Sequence, residues 1–207
     1  MLYRLNTPLS LKDIARLKCG DEVLLSGTVI TARDKAHEYL VRRTMGVRCA
    51  GVKNRSDKDE LPFNLDGACL YHCGPLVSMK QNDSALAKII AAGPTTSSRM
   101  EPYTADIILR YGVRMIIGKG GMDDGTRRAL KKRAVYCAAV GGAAQVLAQA
   151  IIRIENVYGL KEFGETDAFW VLKVKDFPVI VTMDAHGGSL HKNVEKASER
   201  RLKTLMK

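Results

Sequence analysis

Segments of strand character alternate with segments of helical spacing along this chain, and the alternation predicts an α/β or α+β domain built on a mixed sheet. Two further observations support that class. The strand segments, such as 23–32 (VLLSGTVITA) and 113–117 (VRMII), are short, β-branched or apolar runs, and a glycine- or aspartate-rich turn separates each from a helix. The 207 residues show no internal repeat and no linker that divides them, so the expectation is one domain spanning 1–207, large enough for its own core.

The elements follow in order. Thr7-Pro8-Leu9-Ser10 reads as a turn, and Ser10 caps a short helix whose Leu11, Ile14 and Leu17 repeat at helical spacing. After a turn at 18–21, residues 23–32 form a strand, with Arg33 and Asp34 just past it at the head of the helix DKAHEYLVRR. Residues 46–66 carry a charge run (KNRSDKDE) and read as a long surface loop. Residues 68–72 make a short strand and 85–92 a candidate third, with helix as its alternative. Beyond Thr95-Thr96 a helix runs to about Arg110; Ser98 and Glu101 stand three apart, as in a capping box, and Pro102 is tolerated in the first turn. A strand at 113–117 leads into GKGG at 118–121, Asp123 or Asp124 caps the next helix, and 135–140 is a strand. Gly141-Gly142 is expected to open one long helix, AAQVLAQAIIRIENVYG. Strands at 169–175 and 179–182 flank Pro178, and a turn at 184–188 precedes a basic C-terminal helix over about 188–207.

Composition narrows the classes. No run approaches the roughly 18 apolar residues that span a bilayer, and the first residues lack a basic segment followed by an apolar one, so neither a membrane span nor a signal peptide is expected. Five cysteines at irregular spacing argue against a disulfide framework and for a reducing, cytoplasmic setting. Cys69 and Cys73 flank Tyr71-His72, yet no CxxC and no second ligand pair accompany them, so two thiols beside a strand are the plainer reading. The net charge of +11 is concentrated at Arg127, Arg128, Lys131, Lys132 and Arg133 and along the last helix. Glu195 and Glu199 dilute the latter, which fits a solvated helix face or a dock for an acidic partner better than a nucleic-acid surface.

The densest chemistry lies in 93–122. Thr95 and Thr96 are paired hydroxyls, Arg99 follows one helical turn later, and Lys119 is framed by glycines. Strand-to-helix turns aim backbone N–H groups and the positive end of a helix dipole at one spot. If the strands are parallel, both turns share a sheet edge, and Arg33 joins them. Two arginines and a lysine suit a dicarboxylate. GKGG is not a nucleotide-binding P-loop, because no Ser or Thr follows the lysine. A stand-alone basic module for phosphate or nucleic acid is the competing function. His37, one turn from Arg33, reads as a residue that orients its neighbour, and Asp34 as a helix cap or Arg33 partner. Asp184 and His186 sit in a glycine-rich turn and read as parts of a structural turn, with acid/base residues as the alternative.

GPTTSSRM (93–100), GKGGM (118–122), TARDKAH (31–37), TPLS (7–10) and DAHGGSL (184–190) occur in one order over nearly the whole chain. Together they resemble the β subunit of class I fumarate hydratase and L-tartrate dehydratase, equivalent to the C-terminal domain of single-chain members. The resemblance implies a swivelling β/β/α domain with a mixed sheet flanked by helices. It implies a hydro-lyase acting on a C4 dicarboxylate, fumarate/L-malate first, with L-tartrate or a methylated fumarate as alternatives. It also implies a 4Fe–4S cluster held by a partner α subunit and not by this chain, in a heterotetramer of two α and two β subunits. Carried onto matching positions, Thr95 is the catalytic base, assisted by a partner carboxylate. Arg33, Arg99 and Lys119 bind substrate carboxylates, and Thr96 is a neighbouring polar contact. The 46–66 segment is longer than is common in that family.

Overall fold

The computed structural model of the chain describes residues 1–44, 61–78 and 87–206. Most of the loop expected at 46–66 and the start of the strand expected at 85–92 lie outside those residues.

Four strands run parallel in the order β2 (Glu22–Thr31), β3 (Cys69–Tyr71), β6 (Met115–Gly118) and β7 (Val135–Ala138). The long strand β9 (Phe169–Met183) pairs antiparallel with β7 on one side and β2 on the other, so the sheet closes on itself. Closure removes two exposed edges at once. β1 (Leu2–Asn6) extends the ring beside β2, and β8 (Ile151–Tyr158) beside β9. β4 (Leu76–Ser78) and β5 (Lys88–Ala91) form a separate antiparallel pair.

The period-2 alternation of the strands divides the core in two. Val23, Cys69, Tyr71, Met115, Ile117, Val135, Cys137, Trp170 and Leu172 belong to one buried cluster inside the ring. Ile30, Leu70, Ile116 and Tyr136, one residue out of step, belong to the other. There they meet Ala36 and Leu40 of α2 (Asp34–Thr44), Ile107 of α3 (Glu101–Tyr111) and Leu130 of α4 (Asp124–Leu130). Each large apolar side chain fully buried this way contributes about 1.5–3 kcal/mol, enough to fix strand register firmly.

Several sequence expectations hold. Ser10 and Asp13 form a reciprocal capping box on α1 (Leu11–Ala15), Asp123 caps α4, and Pro102 sits in the first turn of α3. Ser189 caps the basic helix α7 (Leu190–Leu205), none of whose residues is buried.

Others are corrected. The helix opened by Gly141-Gly142 ends early: α5 covers Ala144–Gln149, and Ile151–Tyr158 is strand β8, paired with β9. Ile151, Ile154 and Val157 are β-branched and gain a ladder partner there, which outweighs the helical spacing of the preceding alanines. The two strands around Pro178 are one strand, with Asp176 at φ 51 and a register shift between Leu25 and Gly27 opposite. Such an irregularity is where a strand tolerates proline. Ser98 makes no capping box with Glu101: a 3-10 turn over Ser97–Met100 precedes α3, whose cap position, Met100, makes no side-chain cap bond. β1, β4 and the single-turn α6 (Leu160–Phe163) were not foreseen. They are short, and only Leu5 and Val77 of the eight β1 and β4 residues are buried, so their sequences carry little pattern.

Candidate functional site

Because β2, β3, β6 and β7 are parallel, their carboxyl ends open on one edge of the sheet, the side on which α/β proteins place ligands. Arg33 and Asp34 follow β2, His72 follows β3, and Lys119 follows β6. The Thr95–Thr96 turn reaches the same edge by another route. It follows β5, which is not part of the main sheet, and is stitched to β6 afterwards. The Thr95 N–H donates to the His72 carbonyl at 2.7 Å, the Lys119 N–H to the Thr95 carbonyl at 3.2 Å, and the Ser97 N–H to the Lys119 carbonyl at 3.1 Å. Thr96 and Lys119 are thereby paired as an isolated parallel bridge.

The side chains converge accordingly. Arg99 Nη2 donates to Thr95 Oγ1 at 3.0 Å and lies 3.1 Å from Asp34 Oδ2. The same Asp34 oxygen is 3.8 Å from Arg33 Nη2, so one carboxylate faces both guanidinium groups. Arg33 Nε stands 3.8 Å from Asp167 Oδ1, and both atoms are buried without a hydrogen bond among the described residues. Arg33 lies so close over Gly74 that a Cβ there would overlap its Nη1. Only glycine lets the guanidinium through. Lys119 is exposed, has no ion-pair partner among the described residues, and runs past Gly141. Thr96 is exposed and makes no side-chain cap bond. Arg33, Asp34, Thr95 and Arg99 therefore form one side-chain cluster, which Lys119 and Thr96 join through the backbone.

His37 is fully buried on α2, and its Nδ1 lies 2.9 Å from the Arg33 carbonyl. A carbonyl only accepts, so His37 carries its proton on Nδ1. Its ring meets His72 edge-on, with centroids 4.8 Å apart. Burial pushes His37 down to about 4, and burial together with the neighbouring His37 holds His72 well below the ordinary histidine value. Both imidazoles are neutral at physiological pH.

Three buried polar residues beside the site were not foreseen as a group: His72, Ser97 and Tyr136. His72 Nδ1 lies 2.8 Å from Ser97 Oγ, and Tyr136 Oη is 2.9 Å from both Ser97 Oγ and the Gly120 carbonyl. A signal was present, since Tyr136 falls on the outward face of the VYCA alternation and Ser97 directly follows the threonine pair. The Cys69–Cys73 neighbourhood resolves by the same alternation. Both thiols point into the ring core, with burial pushing Cys73 up to about 12, while His72 is on the opposite face. Among the described residues no group of three or more His, Cys, Asp or Glu side chains is placed to hold a metal.

Asp184 is a turn residue. Its carboxylate accepts from the Cys19, His186 and Gly188 N–H groups at 2.8–3.0 Å, and His186 Nε2 lies 3.0 Å from the Ala15 carbonyl. A groove of about 1250 Å³ between β5, α5 and β8 is separate from the site, for none of Arg33, Thr95, Arg99 and Lys119 lines it.

Comparison with known proteins finds similarity over nearly the whole chain. The family described as Fumarase C-terminus matches residues 3–194. A putative class I fumarate hydratase of Geobacillus stearothermophilus is 44% identical over 96% of this chain, which spans only 35% of that protein's length. A putative L(+)-tartrate dehydratase subunit beta of Methanocaldococcus jannaschii is 38% identical over 100% of this chain and 99% of its own. The L(+)-tartrate dehydratase subunit beta of Escherichia coli K12 is 34% identical over 95% of this chain and 90% of its own.

Proposed function

Because the chain belongs to the family of the fumarase C-terminus, we propose that it is the β subunit of a hydro-lyase that adds or removes water on a C4 dicarboxylate, fumarate/L-malate first. The observation that carries this reading is the contact of Arg99 with both Thr95 Oγ1 and Asp34 Oδ2. It joins a hydroxyl that can move a proton to a cation that can hold a carboxylate. L-tartrate is the second reading, favoured by the tartrate-named β subunits that match the chain at nearly their full length.

Arg33, Arg99 and Lys119 bind the substrate carboxylates. Removing a proton alpha to a carboxylate builds further negative charge on that group, so cations fixed beside it stabilise the transition state more than the ground state. Thr95 Oγ1 takes the proton. A threonine hydroxyl is a weak base, but the Arg99 guanidinium donating to its oxygen favours the alkoxide, and a carboxylate of the partner receives the hydroxyl proton. Asp34 faces both guanidinium groups and offsets their mutual repulsion, and His37 anchors the Arg33 backbone.

The family resemblance implies a 4Fe–4S cluster, which would supply Lewis acidity toward the leaving hydroxyl. The described residues of this chain do not fit it: their thiols lie in the ring core or, at Cys19, beside Asp184, and none forms a ligand set. In this reading an α subunit holds the cluster. The remaining proposals are a heterotetramer of two α and two β subunits, a single swivelling β/β/α domain over 1–207, and a cytoplasmic setting, which the free cysteines support. No helix among the described residues is long and apolar enough to cross a membrane.

The test is anaerobic co-expression with the partner subunit, followed by absorbance assays on L-malate and L-tartrate. Turnover by the complex and none by the lone chain is expected. A complex with an intact cluster that turns over neither substrate refutes the reading, as does turnover by the chain alone.

A further inference from the structure

We infer that Ser97 and Tyr136 are positioning residues, joined with His72 in one directed chain of hydrogen bonds that fixes the Thr95 turn and the Lys119 loop relative to each other. The inference rests on the proposed function for its kinetic consequence, but not for its geometry.

The direction follows from counting protons. The Gly120 carbonyl only accepts, so the Tyr136 hydroxyl proton goes to it. The contact between Tyr136 Oη and Ser97 Oγ then needs the proton of Ser97. With its proton used, Ser97 Oγ accepts from His72, which must be protonated on Nδ1. The chain reads His72 Nδ1–H to Ser97 Oγ–H to Tyr136 Oη–H to Gly120 C=O. Every contact then contains one proton, and the single unmet group is the lone pair on His72 Nε2, an atom without a hydrogen-bond partner among the described residues. The reverse polarity puts a proton on that partnerless Nε2 and sets Tyr136 Oη against the Gly120 carbonyl with no proton between them. A buried orphan N–H costs more than an under-used lone pair.

The chain joins four separate elements. His72 follows β3 and grips the turn twice, at Thr95 N–H through its carbonyl and at Ser97 Oγ through its ring. Tyr136 rises from β7 and holds the loop after β6 at Gly120, next to Lys119. Ser97 is fully buried, and a Cβ on Gly118 would overlap its Oγ. The first glycine of GKGG thus makes room for this hydroxyl. Thr95 and Arg99 on one side and Lys119 on the other are exposed or half-buried, and among the described residues no side-chain hydrogen bond or ion pair of theirs ties the two sides together. The buried chain does so from beneath, together with the short backbone bridge.

The experiment has two arms, both on the full chain, the second in complex with its partner. Isotope-labelled histidine NMR of the substrate-free chain reads the His72 tautomer. A protonated, hydrogen-bonded Nδ1 and a bare Nε2 are expected, with Nδ1–H losing its hydrogen-bonded shift in Ser97→Ala. An Nε2–H tautomer overturns the directed chain. In the complex, Ser97→Ala and Tyr136→Phe should each lower kcat/KM by about 10²-fold, the loss typical of a displacement near 1 Å. The double variant should be no worse than the worse single one, because both break the same link. Thr104→Val, which removes the buried hydroxyl that bonds the Met100 carbonyl on α3, should lower the melting temperature without this loss. If Ser97→Ala does not fold, Tyr136→Phe carries the kinetic arm. A kcat/KM within two-fold of the parent in a folded Tyr136→Phe complex overturns the positioning role. A parent complex without hydratase activity counts against the proposed function, and the tautomer arm still decides the chain.

Discussion

Acid should unfold this protein in a window set by its buried histidines. His37 is fully buried and held at about 4, against an ordinary value of 6.5. The native state therefore keeps His37 neutral where the unfolded chain has already bound a proton. Stability then rises with pH and is lost as pH falls from about 6.5 to about 4. At about 1.4 kcal/mol per pKa unit, the loss from His37 alone is of the order of 3 kcal/mol. His72, also fully buried and held well below the ordinary value, adds a loss of the same sign, as does half-buried His191, which burial also lowers. Around pH 5 each buried histidine contributes a slope of up to about 1.4 kcal/mol per pH unit. The carboxylates of Asp13, Asp21, Asp123 and Asp184 are held below their ordinary 3.8, so their stabilisation is lost only as pH falls further, and the two windows separate. Urea unfolding at fixed ionic strength between pH 7.5 and 4.5 measures this directly. His37→Gln, which retains a donor for the Arg33 carbonyl, should flatten the dependence by about one proton. A stability that does not change between pH 7 and 5 refutes the neutral buried pair.

Arg99→Ala and Lys119→Ala should each cost about 2–5 kcal/mol of transition-state stabilisation in the complex, whereas Lys203→Ala, on the exposed face of α7, should leave kcat/KM unchanged; steady-state kinetics at matched melting temperature decide. Thr95→Val should lower kcat by about 10²–10⁴-fold if Thr95 takes the proton, and Thr96→Val, one residue along the same turn, should not. Equal and mild effects at both positions would assign the base to the partner. Gly74→Ala should displace the Arg33 guanidinium, which a Cβ there would overlap, and raise KM for the dicarboxylate; an unchanged KM would show that Arg33 does not meet the ligand.

What the sequence made legible follows from the range of the forces involved. Ser10 and Asp123 were readable as caps because a cap is decided within four residues. The shared edge of Arg33 and Lys119 was readable because both trail parallel strands, β2 and β6; the Thr95 turn trails β5, outside the main sheet, and reaches that edge through backbone bonds to His72 and Lys119 that no parallel-strand rule predicts. The run Ile151–Tyr158 was misread because its alternative partner, β9, lies further along the chain, and only pairing with it reveals the strand. The closed ring is hidden for the same reason: it depends on β9 reaching both β2 and β7. The His72–Ser97–Tyr136 chain spans residues 25 and 39 apart in sequence, and no local pattern couples them.

The exposure of the cations bears on why such a chain would work with a partner. The Arg99 side chain is 47% exposed and Lys119 is exposed. A unit charge pair at 4 Å is worth about 1 kcal/mol in bulk water and about 4 kcal/mol at the effective dielectric of a partly enclosed protein site. The residues of this chain thus supply direction and sign, while most of their electrostatic effect depends on what excludes water from them. Asp34 already faces both arginines, so an open site holds its guanidinium groups in place without a ligand. Covering that edge would strengthen every charge contact on it together, with no change in the positions the strand ends and the buried hydrogen-bond chain have set. Under the proposed function, catalysis is then conditional on assembly, and the unassembled subunit is expected to bind dicarboxylates weakly.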